Sequence, residues 1–364
     1  MEKASVCDFG HPEADRSVRI VSVTEVYMDS IRATDWDSFA ARCGCSVYAT
    51  RAHVVAWTLK HRLKYRIRLF ELYGEADGAT VKIGQCAVGV SRHATSQFLD
   101  RIQLLPEFED WAGAMAALLA KLDPGEFQYG WELNLEPPRQ EALSALPGVT
   151  ISETTPLVVN AIDFSRWDNW ESYYYGMRKG ARQSAQFAKR DIPDLQFKTW
   201  TGRSSMRAIP ALLRLRWQLS RRKGLGLRVV DLLASYMGWM AVSPLYTVTR
   251  LAIGAGVTMA AYYGADFGAN TYYLEGASEP GNLGASWALV VSMIQRAYVR
   301  DPKGKFIMGY VNYATHDEEV SGGLLLARTA CRVSDYPTSI VRFHYSGSRP
   351  RPAVAAGDRF NKPA

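Results

Sequence analysis

Residues 279–286 read Glu279-Pro280-Gly281-Asn282-Leu283-Gly284-Ala285-Ser286, and a helix pattern follows them. Trp287, Val290, Val291, Ile294 and Tyr298 recur at helical spacing, with Ser292, Gln295 and Arg300 mostly off that stripe. A helix with one buried face has a fixed N-terminus, where free N–H groups favour an anion. Gly281 and Gly284 permit a tight turn and close approach of a ligand to the backbone. Ser286 is placed to cap the helix or to donate to a phosphate. A plain strand–helix turn reads the same way.

Working outward, Asn270–Leu274 reads as the strand feeding this loop and Lys305–Tyr310 as the strand after the helix. Leu245–Ile253 and Val257–Tyr263 form a hairpin around Gly254-Ala255-Gly256 before it. The first half has a similar order. Strands are expected at Val18–Val26, Tyr65–Leu72, Val81–Val90 and Phe98–Leu104, then a helix over 108–122 stopped by Pro124-Gly125, then strands at Tyr129–Leu135 and Leu157–Ile162. Its strand–helix junction, Leu104-Leu105-Pro106-Glu107-Phe108-Glu109-Asp110, has no glycine and three carboxylates, which would repel an anion. Helices over 170–189 and 206–222 and a helical piece near 230–240 open the second half. A helix near 318–328 and strands at 331–334 and 339–344 close it.

The pattern is α/β (α+β): two similar domains in tandem, each a mixed, mostly antiparallel sheet flanked by helices. The expected division is a disordered N-terminus over 1–17, domains over 18–164 and 165–345, and a disordered tail over 346–364.

At 48% hydrophobic and 22% charged, the 364 residues carry enough apolar material for a core, which excludes disorder for most of the chain. No run of about 18 apolar residues suggests a membrane span, and residues 1–16 lack the apolar region of an export signal. The five cysteines include no CxxC pair, and Cys43 and Cys45 are too close for a good zinc pair or an unstrained disulfide. The six histidines are scattered. A cytoplasmic protein with reduced thiols and no metal is expected. The net charge of +7 is uneven. Residues 166–228 hold fifteen Lys and Arg against four Asp and Glu, so the rest of the chain sums to −4. Such a segment suits an anionic partner, or is a solvated helix face.

A three-strand meander, a Gly-containing loop and helix, and a diverging strand resemble the GNAT acetyltransferase superfamily. The whole chain is similar to its duplicated members of the BioF2-like or cellulose-biosynthesis (CelD/BcsL) type, relatives of the Fem-type aminoacyltransferases. The resemblance runs over about 18–345. It rests on Trp36 with Ser46-Val47-Tyr48-Ala49-Thr50 and Trp57, and on Trp170-Glu171-Ser172-Tyr173 with Met177-Arg178-Lys179-Gly180-Ala181-Arg182 and Ala188-Lys189-Arg190. Pro280-Gly281 and Gly309-Tyr310-Val311-Asn312-Tyr313 complete it. The chain departs from the pattern at Ala314, where a lysine is expected, and at Glu279, where a small polar residue is expected.

The resemblance implies an acyltransferase using acyl-CoA (acetyl-CoA) as co-substrate. Gly281, Asn282, Leu283, Gly284, Ala285 and Ser286 would grip its pyrophosphate, and an amine or hydroxyl of the acceptor would attack the thioester directly. Glu275 is then a candidate base, or an exposed strand end. Tyr310, Asn312 and Tyr313 are candidates for the leaving thiolate, or aromatic packing. Of Tyr262-Tyr263 and Tyr272-Tyr273, alternation turns one of each pair to the cleft. Arg221-Arg222-Lys223 would reach a phosphate of coenzyme A or a tRNA, or be solvated. A small molecule or polysaccharide precursor is the expected acceptor. A Fem-like enzyme fed by aminoacyl-tRNA and a non-catalytic binding protein of the same fold are the alternatives.

Overall fold

The computed structural model describes residues 19–76, 78–224, 226, 228–233, 236, 245–281, 283–311 and 325–347. The expected disordered ends, 1–17 and most of 346–364, lie outside these, as does the start of the helix expected near 318–328.

The first half runs β1 (Arg19–Val26), α1 (Ala33–Arg42), α2 (Arg51–His61), β2 (Arg66–Ala76), β3 (Ala79–Val90), β4 (Ser96–Phe98), β5 (Gln103–Leu104), α3 (Trp111–Leu119), β6 (Gly125–Tyr129), α4 (Gln140–Ser144) and β7 (Val149–Asp163). The second runs α5 (Trp170–Gly176), α6 (Lys179–Asp191), β8 (Gln196–Thr201), α7 (Ile209–Lys223), β9 (Thr247–Gly254), β10 (Val257–Phe267), β11 (Asn270–Ser278), α8 (Leu283–Arg300), β12 (Lys305–Val311) and β13 (Ser334–Tyr345), with a helical segment over 325–330 before β13.

Among the described residues these strands form one sheet, in the order β1-β2-β3-β4-β6-β13-β7-β12-β11-β10-β9-β8, with β5 beside β3. The fold is α/β, and the same unit occurs twice. Antiparallel β1-β2-β3 leads to β4, which pairs parallel with β6; antiparallel β8-β9-β10-β11 leads to the parallel pair β11 and β12. The halves interlock through their last strands. β13 lies between β6 and β7, and β7 pairs with β12. One apolar cluster accordingly joins Phe70, Phe98, Phe127 and Val159 to Phe267, Tyr272 and Ile307.

Local chemistry sets the elements. Ala255 and Gly256 take φ of +48° and +76° between β9 and β10, two successive left-handed residues as a two-residue hairpin requires. Thr50 Oγ1 accepts from the His53 N–H to start α2, and Asp110 Oδ1 accepts from the Gly113 N–H at 2.8 Å to start α3. Asn169 and Ser172 form a capping box on α5. Burial then seats the helices. Trp36 and Phe39 of α1, and Trp111, Met115 and Leu118 of α3, are withdrawn from water, at about 1.5–3 kcal/mol per fully buried large side chain.

Some elements differ from the sequence expectation. The expected 98–104 strand is two short strands, parted by a kink at Asp100, which has φ +79°. The strand expected at 129–135 lies at Gly125–Tyr129, directly after Pro124, and 130–139 is loop and turn. The 170–189 helix breaks at Met177, because the Arg178 N–H leaves the helical pattern to donate to the Ala330 carbonyl at 3.0 Å. The buried face of α8 consists of Ala285, Ala288, Leu289, Val291, Met293, Ile294 and Ala297, which includes Val291 and Ile294 of the expected stripe, while Trp287, Val290 and Tyr298 are only partly covered. This helix packs on the sheet and also on α6, so its apolar stripe is wider than one face.

Candidate active site

The parallel pair β11 and β12 holds together for two residue pairs only, Thr271 with Phe306 and Tyr272 with Ile307. Beyond them β11 runs on to Ser278 paired with β10 alone, and β12 stays paired with β7 as far as Val311, with an irregularity between Ile307 and Gly309. A wedge opens between the strands, lined by backbone groups that sheet pairing leaves to a ligand.

A buried guanidinium ties β12 to β7 on one side of the wedge. Arg328, 4% exposed, donates from Nη1 to Asn160 Oδ1 on β7 at 2.8 Å and to the Tyr310 carbonyl on β12 at 3.1 Å. Asn160 is fixed in turn by its Nδ2 donating to Asp335 Oδ1 at 2.7 Å. Gly309 has φ +109°, and a Cβ there would run into Arg328 Nη2.

The two sequence-predicted side chains on the lips of the wedge are differently occupied. Glu275 on β11 pairs with Arg216 of α7 at 3.4 Å and accepts from the Tyr236 hydroxyl, tying α7 to the strand. Burial, then the Glu275 charge, pushes the Tyr236 phenol up. Tyr310 on β12 is 37% exposed, and its phenol is hydrogen-bonded to Glu132. Burial and then the Glu132 carboxylate push the Tyr310 phenol up to about 12. Burial raises the Glu132 carboxyl above its ordinary value, while the Tyr310 hydrogen bond opposes this.

Glu132 belongs to the first half, in the turn that follows β6, and sequence reasoning did not single it out. Tyr48, from the short helical turn Val47–Ala49, lies in the electrostatic field of Glu132 and then Tyr310, although burial is the main reason its phenol is raised. His53 stands 4.7 Å from Tyr48 and 5.9 Å from Trp131, ring to ring. On the other side Tyr263 meets the Tyr236 ring at 5.5 Å. A row of phenols and carboxylates thus crosses from one half to the other at the mouth of the wedge. The tyrosine pairs alternate as the strand period demands. Tyr262 packs under α8 with Phe306, and Tyr263 turns to the α7 side.

At the β11–α8 loop, Gly281 takes φ +81° with open space where a Cβ would stand. The space beside Gly284 belongs to α6: a Cβ would lie 3.1 Å from Ala188 Cβ and 3.2 Å from the Ser184 carbonyl oxygen. Ala285 is fully buried and Ser286 half-buried. Asn282, the Leu283 side chain, Asn312 and Tyr313 lie outside the described residues. The basic helix α7 reaches this loop. Arg222 Nη2 donates to the Ser278 carbonyl at 3.2 Å, and Arg214 pairs with Glu279 at 3.1 Å.

The basic segment also carries exposed aromatic rings under cations. Arg221 lies 5.0 Å from the Trp217 ring, Arg190 4.8 Å from Phe187 and Arg182 5.3 Å from Tyr175. Trp217, Phe187 and Tyr175 are 40%, 46% and 67% exposed, so this surface offers both charge and stacking planes. Among the described residues no group of three His, Cys, Asp or Glu is placed to hold a metal, Cys43, Cys45, Cys86 and Cys331 are buried and unbridged, and no helix is long and apolar enough to cross a membrane.

No protein-family profile matches this chain, and no curated protein matches its sequence. Solved structures do match in fold. FemX is similar at a TM-score of 0.63 and 11% identity, over 88% of this chain and 97% of that one. A conserved protein of unknown function from Bacteroides thetaiotaomicron VPI-5482 is similar at 0.54 and 10% identity, over 86% and 98%. A tandem GNAT protein from the clavulanic acid biosynthesis pathway gives 0.47 and 13% identity, over 91% and 99%.

Proposed function

We propose that this protein is an acyltransferase that receives an acyl donor in the wedge between β11 and β12 and passes the acyl group to an amine or hydroxyl presented from the first half. The observation that carries this reading is the parting of the two strands after Tyr272 and Ile307, with the Tyr310–Glu132 pair at its mouth. The likeness in fold to FemX over 88% of this chain supports the class and leaves the donor open.

The donor we favour is acyl-CoA. Arg222 beside Ser278 and the open backbone at Gly281 offer a cation and a close approach for its pyrophosphate. In the reaction the acceptor nitrogen or oxygen attacks the thioester carbonyl. The new C–N or C–O bond forms as the C–S bond breaks. Glu132, its carboxyl raised by burial, takes the acceptor's proton. The Tyr310 phenol protonates the departing thiolate and is reprotonated by Glu132, so the acceptor's proton ends on sulfur. Free strand amides in the wedge stabilise the developing oxyanion. Glu275, engaged by Arg216 and Tyr236, positions α7 against the wedge. The acceptor class is a small molecule or polysaccharide precursor. The reading places the protein in the cytoplasm, where its donor is made.

A second reading, transfer from aminoacyl-tRNA, is favoured by the Trp217–Arg221, Phe187–Arg190 and Tyr175–Arg182 pairs. Titration calorimetry with acetyl-CoA and with aminoacyl-tRNA at 50 and 200 mM salt separates the two. The first reading expects saturable acetyl-CoA binding, weakened at least tenfold in Arg222→Ala. The second expects tRNA affinity that falls by roughly 10³ or more over that salt range. If neither donor binds, the acyltransferase reading is wrong.

A further inference from the structure

The first half contains a wedge of its own, and it is not a copy of the donor wedge. β4 and β6 also pair in parallel for two residue pairs, Ser96 with Phe127 and Gln97 with Gln128, before they separate. Between the end of β5 and the end of β6 lies a cavity of about 280 Å³. That is at the lower edge of the about 300–1,000 Å³ typical of organic-ligand sites. Phe108, Trp111 and Tyr129 stand in its smaller apolar part, each largely buried, and Arg101, Asn134 and Glu136 in its larger polar part.

Arg101 is delivered by a strained backbone. Asp100, fully buried at φ +79°, is locked in place by the Ser46 hydroxyl and N–H, which donate to Oδ2 at 2.9 and 3.2 Å. The next residue therefore leaves the strand direction and enters the cavity. One Arg101 nitrogen, Nη2, donates to the Cys43 and Gly44 carbonyls at 3.0 and 3.4 Å. The other, Nη1, holds Glu136. The pair is lopsided: the Arg101 side chain is 19% exposed and that of Glu136 71%. A rim carboxylate has reached in to occupy the free edge of an interior guanidinium.

We infer that this cavity is a binding site for a small organic carboxylate with an apolar, arylalkyl body, whose carboxylate displaces Glu136 from Arg101. The Glu136 carboxylate marks the position that the ligand's own carboxylate takes, where Nη1 offers it a charge-assisted hydrogen bond. The ring lies against Trp111, Phe108 and Tyr129. A diphosphate is a poor fit. The junction before α3 has no glycine, Asp110 already occupies the Gly113 N–H, and Glu107 and Glu109 add negative charge at the same helix start. The inference does not depend on the donor wedge or on acyl transfer.

Calorimetric titration of the full chain with phenylacetate, indole-3-acetate, phenylacetamide and inorganic pyrophosphate tests it. At least one of the two carboxylates should bind saturably, with phenylacetamide and pyrophosphate at least tenfold weaker. Glu136→Gln, an exposed change, should tighten carboxylate binding about tenfold, since the ligand no longer displaces a like charge. Arg101→Lys should weaken it about tenfold or more. The amide comparison needs no variant and survives if Arg101→Lys fails to fold. No binding of either carboxylate by the parent and Glu136→Gln, equal binding of the amide, or weaker binding in Glu136→Gln would each overturn the assignment.

Discussion

Acidification should destabilise this protein through His53 by an amount the structure allows to be worked out. The ring is 8% exposed, on α2, between Tyr48 and Trp131. Burial, with Lys60 adding a smaller effect, lowers its pKa from 6.5 to about 3. The folded protein keeps the imidazole neutral where the unfolded chain protonates it. The stability tied to this group is therefore fully present above the unfolded pKa of 6.5 and is lost as pH falls toward 3. Each unit below 6.5 costs about 1.4 kcal/mol, so moving from pH 8 to pH 4.5 removes about 2.7 kcal/mol.

The assay is equilibrium urea unfolding of the parent and His53→Phe at pH 8, 6.5, 5.5 and 4.5. Phenylalanine keeps an aromatic ring of similar volume between Tyr48 and Trp131, so the two proteins should differ by about 1.5 kcal/mol or less at pH 8. The variant should then gain on the parent by about 2.7 kcal/mol by pH 4.5. Other groups drop out of that difference. Burial raises the carboxyls of Asp37 and Asp100, so they oppose acid loss, whereas Asp163, lowered overall by its hydrogen bonds and Lys305, promotes it. All three are present in both proteins. A parent-minus-variant difference that stays flat within about 0.5 kcal/mol from pH 8 to 4.5 would mean that His53 is accessible to protons in the folded state, and the reasoning would fail.

Other perturbations give separable outcomes. Gly309→Ala places a methyl against the Arg328 guanidinium at φ +109°, and should cost more than about 2 kcal/mol, read as a lowered thermal midpoint. Gly281→Ala strains the backbone at φ +81° without meeting another atom. It should cost about 1 kcal/mol in stability and weaken acetyl-CoA binding in calorimetry. Gly284→Leu, by contrast, pushes against Ala188 and Ser184 of α6, so its first effect should be a lowered thermal midpoint. Glu132→Gln and Tyr310→Phe should each reduce acyl transfer about 10²-fold or more while leaving acetyl-CoA affinity within about twofold, measured by thiol release and calorimetry.

Much of the fold was legible because local signals agree with the tertiary result. Ala255-Gly256 announces its hairpin, and Ile67 and Leu69 alternating with Arg66 and Arg68 announce a strand, although Phe70 and Leu72 on the arginine side are buried as well. The failures have physical causes. β8 has its half-buried residues Phe197 and Trp200 three apart, which is no strand period. It is an edge strand set by its register on β9. β13 contains Pro337, which splits the sequence pattern, yet β7 runs beside it through Val158 without interruption. Gly284 reads in sequence as room for a ligand, and only the position of α6 shows that a helix uses that room. Glu132 carries no signal at all. It is one carboxylate in a polar turn until the folded chain sets it beside Tyr310, 178 positions later in the numbering.

The exchange of last strands explains why such a site can exist. If each half kept its own final strand, β12 would end against its own half, and Tyr310 would have no route to Glu132. With β13 placed between β6 and β7, and β7 between β13 and β12, the turn after β6 and the end of β12 are held in one continuous ladder. Arg328 then bonds β7 and β12 together at the level of Tyr310. The 130–139 segment, which follows β6 in that ladder, holds Glu132 at one place and Glu136 four residues on.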